Sequence, residues 1–324
     1  MSYKVILQDK YDITGAVESI RLQDSLHQIA YQASIRLTAI DSLPVITPGL
    51  PIRVSGQHFG KEVMAPLLNP GVVWEANSAN SGHKHLELTV FDRTIYLDKS
   101  EDEYLFPKGQ TASQRLRKYA ADWDMKLANV PDTSTKLGKA VYRAQSLFSM
   151  MFSDLKETAK SGGELYHLRM TSAGLQLFQL GSNTEVFVLD PVSEVTQSRT
   201  LEGAVTKVKV VAANTNTTKE VPSKVLAMEE KDTKTLGTLQ VILQDDKVDT
   251  AAAARKLAKS KLTGIQQTIS VTAPDINTIR AGDAVMLGSL RLIVISVSRE
   301  LGNPGSMSLE LGTYGDVKRR FYLD

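Results

Sequence analysis

The strictest alternation of apolar and polar positions lies over residues 29–39, where Ile29, Tyr31, Ala33, Ile35, Leu37 and Ala39 interleave with Gln32, Ser34, Arg36 and Thr38. A period of two gives a strand one buried face and one wet face. The same period predicts strands over 3–7 and 18–23. Pro44, Pro48 and Pro51 then punctuate a loop before Ile52 and Val54. Gly56 and Gly60 lead to Val63 and Met64, and the runs 71–74 and 86–90 add two more strands. Short connections predict hairpins, so 1–106 reads as a first β-barrel domain, with no helix before Phe106.

At Pro107-Lys108-Gly109 the period changes. Thr111 can cap a helix in which Leu116, Tyr119, Ala120 and Trp123 fall three and four apart, and 144–160 puts Phe148, Met151, Phe152, Leu155 and Ala159 on one stripe ended by Ser161-Gly162-Gly163. The two methionines of this stripe read as core filler. Short strands over 164–170, 175–180 and 185–189 complete a small α+β insert, 107–190.

Strands return over 194–200 and 204–212, with Asn214 to Thr218 as a polar loop tip from which 223–228 returns, followed by the stretch 235–240. The alanine-rich run AAAARKLAKSKL predicts a helix over about 249–263. Alternating ISVTA, a turn carrying Gly282-Asp283, and the hairpin RLIVISVSRELGNPGSMSLEL follow it. The expected third domain is 191–324, a second barrel with one helix. The fold class is α+β, mainly β: two small antiparallel β-barrel domains separated by the insert.

Composition narrows the function classes. The 324 residues are 42% hydrophobic and 23% charged, the balance of a folded globular chain, and the formal net charge of +2 is far from that of a dedicated nucleic-acid binder. With no cysteine, disulfides, thiol nucleophiles and cysteine-ligated metals are excluded. The N-terminus lacks a signal-peptide apolar core and no apolar run reaches membrane-spanning length, so neither general secretion nor a membrane anchor is expected.

Candidate chemistry is sparse. Of the five histidines, His27, His58, His83, His85 and His167, only His83 and His85 stand close enough along the chain to share a metal, and no third ligand is near. Asp98, Glu101, Asp102 and Glu103 cluster without the order of a calcium loop and read as solvated. Arg255, Lys256, Lys259 and Lys261 crowd a helix whose Ala254, Leu257, Ala258 and Leu262 form a buried stripe, so the cations read as its wet face. Phosphate-binding, dinucleotide and nucleophile-elbow motifs are absent. The expectation is no catalytic, cofactor-binding or metal residue, no cofactor, and no enzyme.

The order of parts resembles a family. Residues 110–116 (QTASQRL) followed by Ala120-Ala121-Asp122-Trp123 are similar to the helix after the first barrel in the baseplate hub proteins of phage tails, the group of late control D proteins, defective-prophage hubs and T4-type hubs. The run SLFSMMFSDLKE and the strands ELYHLRM and GLQLF resemble that family's insert. DTKTLGTLQ is similar to its stretch ending in tyrosine-glycine-leucine-leucine-glutamine, with Thr235-Leu236-Gly237 where the family has tyrosine-glycine. Residues 251–262 and 280–285 resemble its closing helix and Gly-Asp turn.

The resemblance implies a structural, non-enzymatic homotrimer whose six barrels continue a sixfold tail tube, hand it to a threefold central spike and line the channel. Implied partners are the tail tube or distal tail protein, the spike, the tape-measure protein and a LysM-type tail protein, with DNA only as passing cargo. The implied location is the virion or phage-like particle, assembled in the bacterial cytoplasm. Two other classes stay open: a cell-wall-acting peptidoglycan hydrolase or glycan-binding tail protein, and a tail tube or sheath-initiator subunit with one barrel per chain.

Overall fold

Alternation becomes ladder at the N-terminus. The strands are β1 (Tyr3–Leu7), β2 (Tyr11–Asp12), β3 (Val17–Ser25), β4 (Gln32–Thr38), β5 (Pro51–Gln57), β6 (Met64–Asn80) and β7 (Lys84–Asp92). In β4, Ala33, Ile35 and Leu37 are buried while Ser34 and Arg36 face water. Strand β6 runs unbroken for 17 residues, joining two strands expected separately, because it pairs with β5 along one edge and β7 along the other. The structure is a computed structural model, and it describes residues 3–40, 43–57, 59–60, 62–80, 84–212, 222–244, 248, 250–302 and 304–323. The expected polar tip at 214–218 lies outside the described residues.

A short helix, α1 (Ile95–Lys99), follows β7 where no helix was expected before Phe106. Next come β8 (Glu101–Phe106), α2 (Ala112–Asp122), β9 (Ala140–Ser146) and α3 (Leu147–Lys160). Thr111 and Gln114 form a reciprocal capping box at the start of α2. The second helix begins at Leu147, not 144, since β8 claims 140–146 as an antiparallel partner and Ser146 caps the helix, its Oγ accepting from Ser149 N at 3.2 Å.

Strands β10 (Tyr166–Thr171) and β11 (Gly174–Gln179) form a hairpin, and β12 (Phe187–Val188) is shorter than the expected 185–189. The C-terminal part holds β13 (Glu194–Thr200), β14 (Lys207–Val211), β15 (Val225–Glu230), α4 (Thr233–Leu236), β16 (Gln240–Gln244), α5 (Ala251–Lys261), β17 (Gln266–Pro274), β18 (Ala284–Leu287), β19 (Leu290–Glu300), β20 (Ser306–Gly312) and α6 (Tyr314–Val317). Residues 233–236 form the short α4, for which no helix was expected.

One 13-stranded sheet takes the order β13-β17-β20-β19-β3-β4-β7-β6-β5-β1-β2, with β12 and β18 branching from β19. The two expected barrels are therefore not separate closed objects. Among the described residues the path is open, and the antiparallel ladder of β19 on β3, Ser296↔Ser25 to Glu300↔Arg21, fuses C-terminal and N-terminal strands into one sheet. The reason is register: both strands bring a buried alternating set to the same face, and pairing them removes two edges at once.

Contacts divide the chain into one unit of 1–196 with 270–322 and a second of 197–269 with 323–324. The first unit thus holds the whole expected insert together with strands from both sides of it. One apolar cluster in it joins Leu26 and Val72 of the N-terminal part, Leu116, Met151 and Leu155 of the two insert helices, and Ile293, Phe321 and Tyr322 near the C-terminus. A second cluster fills the β1–β7 region around Ile20, Ile35, Val54 and Val90. The second unit is a sheet of order β15-β14-β16 whose Val208, Val210 and Ala227 pack with Ala254 and Ala258 of α5.

Leu155 is buried on α3, whereas Phe148 is half-buried and stacked on Phe152 with ring centroids 5.5 Å apart. Leu155→Asp is expected to cost about 3–5 kcal/mol and Phe148→Asp about 1–2 kcal/mol, by charge burial. Urea titration followed by circular dichroism checks the ranking. Equal, negligible losses would show that this helix face is not core.

Candidate functional site

The Gly282-Asp283 turn sits at the centre of the most elaborate polar arrangement in the first unit. Gly282 has φ +88° and a Cβ there would stand 3.2 Å from Arg169 Nη2, so backbone freedom and lack of bulk are both required. Arg169, from β10, reaches the turn: its Nη2 donates to Asp283 Oδ1 at 2.9 Å and to the Ala281 carbonyl. Arg280 donates through Nε to Asp24 Oδ2 of β3, and Ala281 N donates to the same oxygen at 3.1 Å. Asp283 Oδ2 closes the turn by accepting from Arg280 N at 2.8 Å.

Aromatic faces cover both cations. The Arg169 guanidinium lies 3.5 Å from the Phe178 centroid and that of Arg280 lies 4.0 Å from Tyr31. Burial alone would raise the Asp24 carboxyl, but the charge and hydrogen bond of Arg280 outweigh it and hold the group below its ordinary range. Beside them, burial pushes His167 down to about 4, leaving a neutral imidazole at pH 7.

Two further ion pairs are sealed into the same unit. Arg115 Nη1 bonds Asp154 Oδ1 at 2.6 Å with both side chains buried, and Tyr142 donates to the same oxygen at 2.6 Å. Burial nevertheless pushes Asp154 up to about 6. Arg299 stands 3.4 Å from Asp275 and donates to the Ile276 carbonyl at 3.1 Å. Asp92, also raised to about 6 by burial, accepts from Tyr31 N at 3.2 Å and Thr94 N at 2.9 Å. Buried pairs of this kind fix geometry, since each charge is covered and faces its partner, although Arg115 Nε, Asp154 Oδ2 and Arg299 Nε make no hydrogen bond among the described residues.

The sequence-picked residues stay apart. His58 and His83 lie outside the described residues, while His85 Nδ1 pairs with Glu18 at 2.9 Å. Among the described residues no three His, Asp or Glu side chains gather as a metal site. Asp98 pairs with Lys99 at 2.8 Å, Glu103 accepts from Ala144 N at 3.2 Å, and Glu101 and Asp102 are exposed. Arg255, Lys256 and Lys259 are exposed on α5, and Ala254 and Ala258 form its buried side. No helix among the described residues is long and apolar enough to cross a membrane.

The buried ion pairs were not singled out from the sequence, yet a signal for them was there. Arg115 and Asp154 fall on the apolar stripes of their helices, four residues from Tyr119 and from Met150, and Arg299 continues the inward alternation of Ile295 and Val297. A lone charge on a core face implies a buried partner.

The unfolded chain protonates an imidazole near pH 6.5, and the folded chain protonates His167 only near 4, so acidification across that window favours unfolding. Relative to His167→Gln, the wild type should lose about 3 kcal/mol between pH 7 and 4. Paired denaturation curves at the two pH values check this, and a constant difference would refute it. Separately, Asp24→Ala is expected to cost about 3–5 kcal/mol by leaving Arg280 uncompensated, and Asp24→Ala with Arg280→Met should recover part of it.

The YQBQ-like family matches residues 19–310. The protein described as "Uncharacterized protein YqbQ" of Bacillus subtilis (strain 168) is 27% identical over 145 residues, a match that spans 44% of each chain. Among solved structures, the 43 kDa tail protein of prophage MuSo2 from Shewanella oneidensis aligns over 97% of this chain and 98% of its own with a TM-score of 0.72 at 13% identity. The tail protein from Neisseria meningitidis MC58 aligns over 100% and 98%, with a TM-score of 0.67 at 16% identity. An E. coli type VI secretion component, described as similar in structure to the T4 phage tail proteins gp27 and gp5, aligns over 97% and 77% with a TM-score of 0.56 at 8% identity. Tail proteins, one of them from a prophage, thus share the fold of this chain from end to end. The chain itself belongs to the YQBQ-like family.

Proposed function

We propose that the protein is a structural baseplate hub of a phage or phage-like particle, a homotrimer that joins the sixfold tail tube to a threefold central spike and forms part of the central channel. One observation carries the reading: the likeness to prophage tail proteins extends over essentially the whole chain, strands and insert alike. The likeness to a type VI component that itself resembles gp27 and gp5 supports the spike-side role.

In this reading the strands of 3–92 and those of 194–200 and 266–312 act as two ring-forming modules per chain, and 107–190 is hung between them. Three chains then present six modules to the tube. Outer strand β13 is exposed at all seven positions, and an uncovered edge of this kind is protected when a neighbour pairs with it. The near-neutral charge of +2 suits a channel that passes DNA or a tape-measure protein without gripping it. The protein works without catalysis, in the tail of the particle, after assembly in the host cytoplasm, with a LysM-type tail protein as a further partner.

Sedimentation tests the assembly. The isolated chain is expected to run as a monomer or weak trimer in dilute solution and as a firm trimer with its tube or spike partner, with a threefold ring in negative-stain images. A stable twofold dimer unchanged by partner would overturn the hub reading. Loss of turbidity of purified cell walls on adding the chain would instead favour the hydrolase.

A further inference from the structure

A cleft of about 540 Å³ opens in the first unit between α1, the end of α2 and the β10–β11 hairpin, and nothing above gives it a role. Its size is within the range of binding clefts, roughly 300–1,000 Å³. Its floor is aliphatic: Leu97, Leu147 and Leu175 line it and are themselves buried. Its walls hold two large aromatics that stay open to water, Tyr96 at 44% and Trp123 at 39% exposure. Half-buried Met125 and Met170 lie beside them, adaptable side chains that suit a docking surface.

The cleft is held open from behind. Trp74 packs edge-to-face on Tyr96 with centroids 6.1 Å apart. Trp123 follows α2, fixed by its N–H to the Tyr119 carbonyl at 3.0 Å and by Met125 N to the Ala120 carbonyl at 2.8 Å. The next residues are tied to β11, Leu175 N donating to Lys126 O and Ala128 N to Leu175 O, both at 2.8 Å. Gly174, at φ +132°, lets this wall approach, because a Cβ there would meet Lys126 O at 2.4 Å. A wall built this way needs no ordering on binding.

Charge selects the occupant. Arg93 and Lys126 are exposed at the cleft, and neither head group forms an ion pair or side-chain hydrogen bond among the described residues. Asp124 supplies one negative charge against these two. The hydroxyls of Tyr96, Ser100, Thr171 and Ser172 also line the cleft, and that of Thr171 is already engaged, donating to Gly174 O at 2.9 Å and accepting from Ala173 N at 3.2 Å.

We propose that this cleft docks a short segment of another tail component that carries an aromatic or aliphatic anchor flanked by carboxylates. The anchor fills the space between Tyr96 and Trp123, and the carboxylates face Arg93 and Lys126. Only the source of the segment rests on the hub reading; the chemistry of the cleft does not.

The chain has two tryptophans, so Trp74→Phe leaves Trp123 as the sole tryptophan, read by selective excitation of the indole. The probe is the capped peptide acetyl-Asp-Leu-Phe-Asp-amide, compared with its lysine-for-aspartate counterpart. The acidic peptide is expected to shift Trp123 emission saturably, with affinity at least about tenfold above that of the basic peptide, and Arg93→Glu with Lys126→Glu should reverse that preference. Calorimetry on the unsubstituted chain repeats the comparison should Trp74→Phe disturb Tyr96. Equal binding of both peptides, no saturation into the millimolar range, or indifference to the double charge reversal would overturn the proposal. So would saturable binding of chitotetraose without the acidic peptide, or self-association abolished by Trp123→Ala, which would hand the cleft to a glycan or to a second copy. These measurements use the isolated chain, so their failure leaves the trimer and tube-binding result standing, and the converse holds.

Discussion

The salt bridge of Arg280 with Asp24 is the contact on which the arrangement of the first unit turns. It joins residues far apart in sequence, and both charges would be costly if left alone in the interior. Once Asp24 of β3 holds the turn through Arg280 and Ala281, β18 and β19 start in a fixed place and β19 can lie along β3. Arg169 then brings β10 to the same turn. Apolar packing supplies most of the stabilisation, but it is permissive about position; the ionic contacts are not. They specify where the insert meets the sheet.

Under the proposed hub role such a device has a use: a hub that meets one symmetry on one side and another on the opposite side needs modules held at fixed positions relative to the shared sheet. The sealed pairs Arg115–Asp154 and Arg299–Asp275 serve rigidity in the same way, each tying a helix or strand to a neighbouring segment. The cleft beside α1 and α2 is built on these supported elements, with its aromatic walls braced by Trp74 and by the cap of α2. Rigid framing and an adaptable methionine lining together describe a place where a flexible segment can dock at small ordering cost.

By itself the sequence determined the local structure. Period-two alternation located β3, β4 and β7, the 3.6-residue stripe located α2, α3 and α5, and Thr111 announced its cap, because each of these signals arises from neighbours along the chain. The order of motifs also carried the family resemblance, since it depends on succession rather than on any single contact. Misplaced boundaries have local causes too. Residues 144–146 looked like the start of α3 until β8 claimed them, and α1 is too short to show a period.

Only the tertiary structure decided how the strands are shared. Two separate barrels and one continuous sheet require the same alternating segments, and the choice rests on the β19–β3 ladder, which pairs residues some 270 positions apart and so leaves no local trace. The same is true of the polar cluster. Asp24, Arg169, Arg280 and Asp283 are individually ordinary charges on three segments, and their meaning comes from burial, which is a property of the packed chain. The cleft belongs with them, for Tyr96, Trp123 and Leu175 meet only after α1, α2 and β11 have been packed.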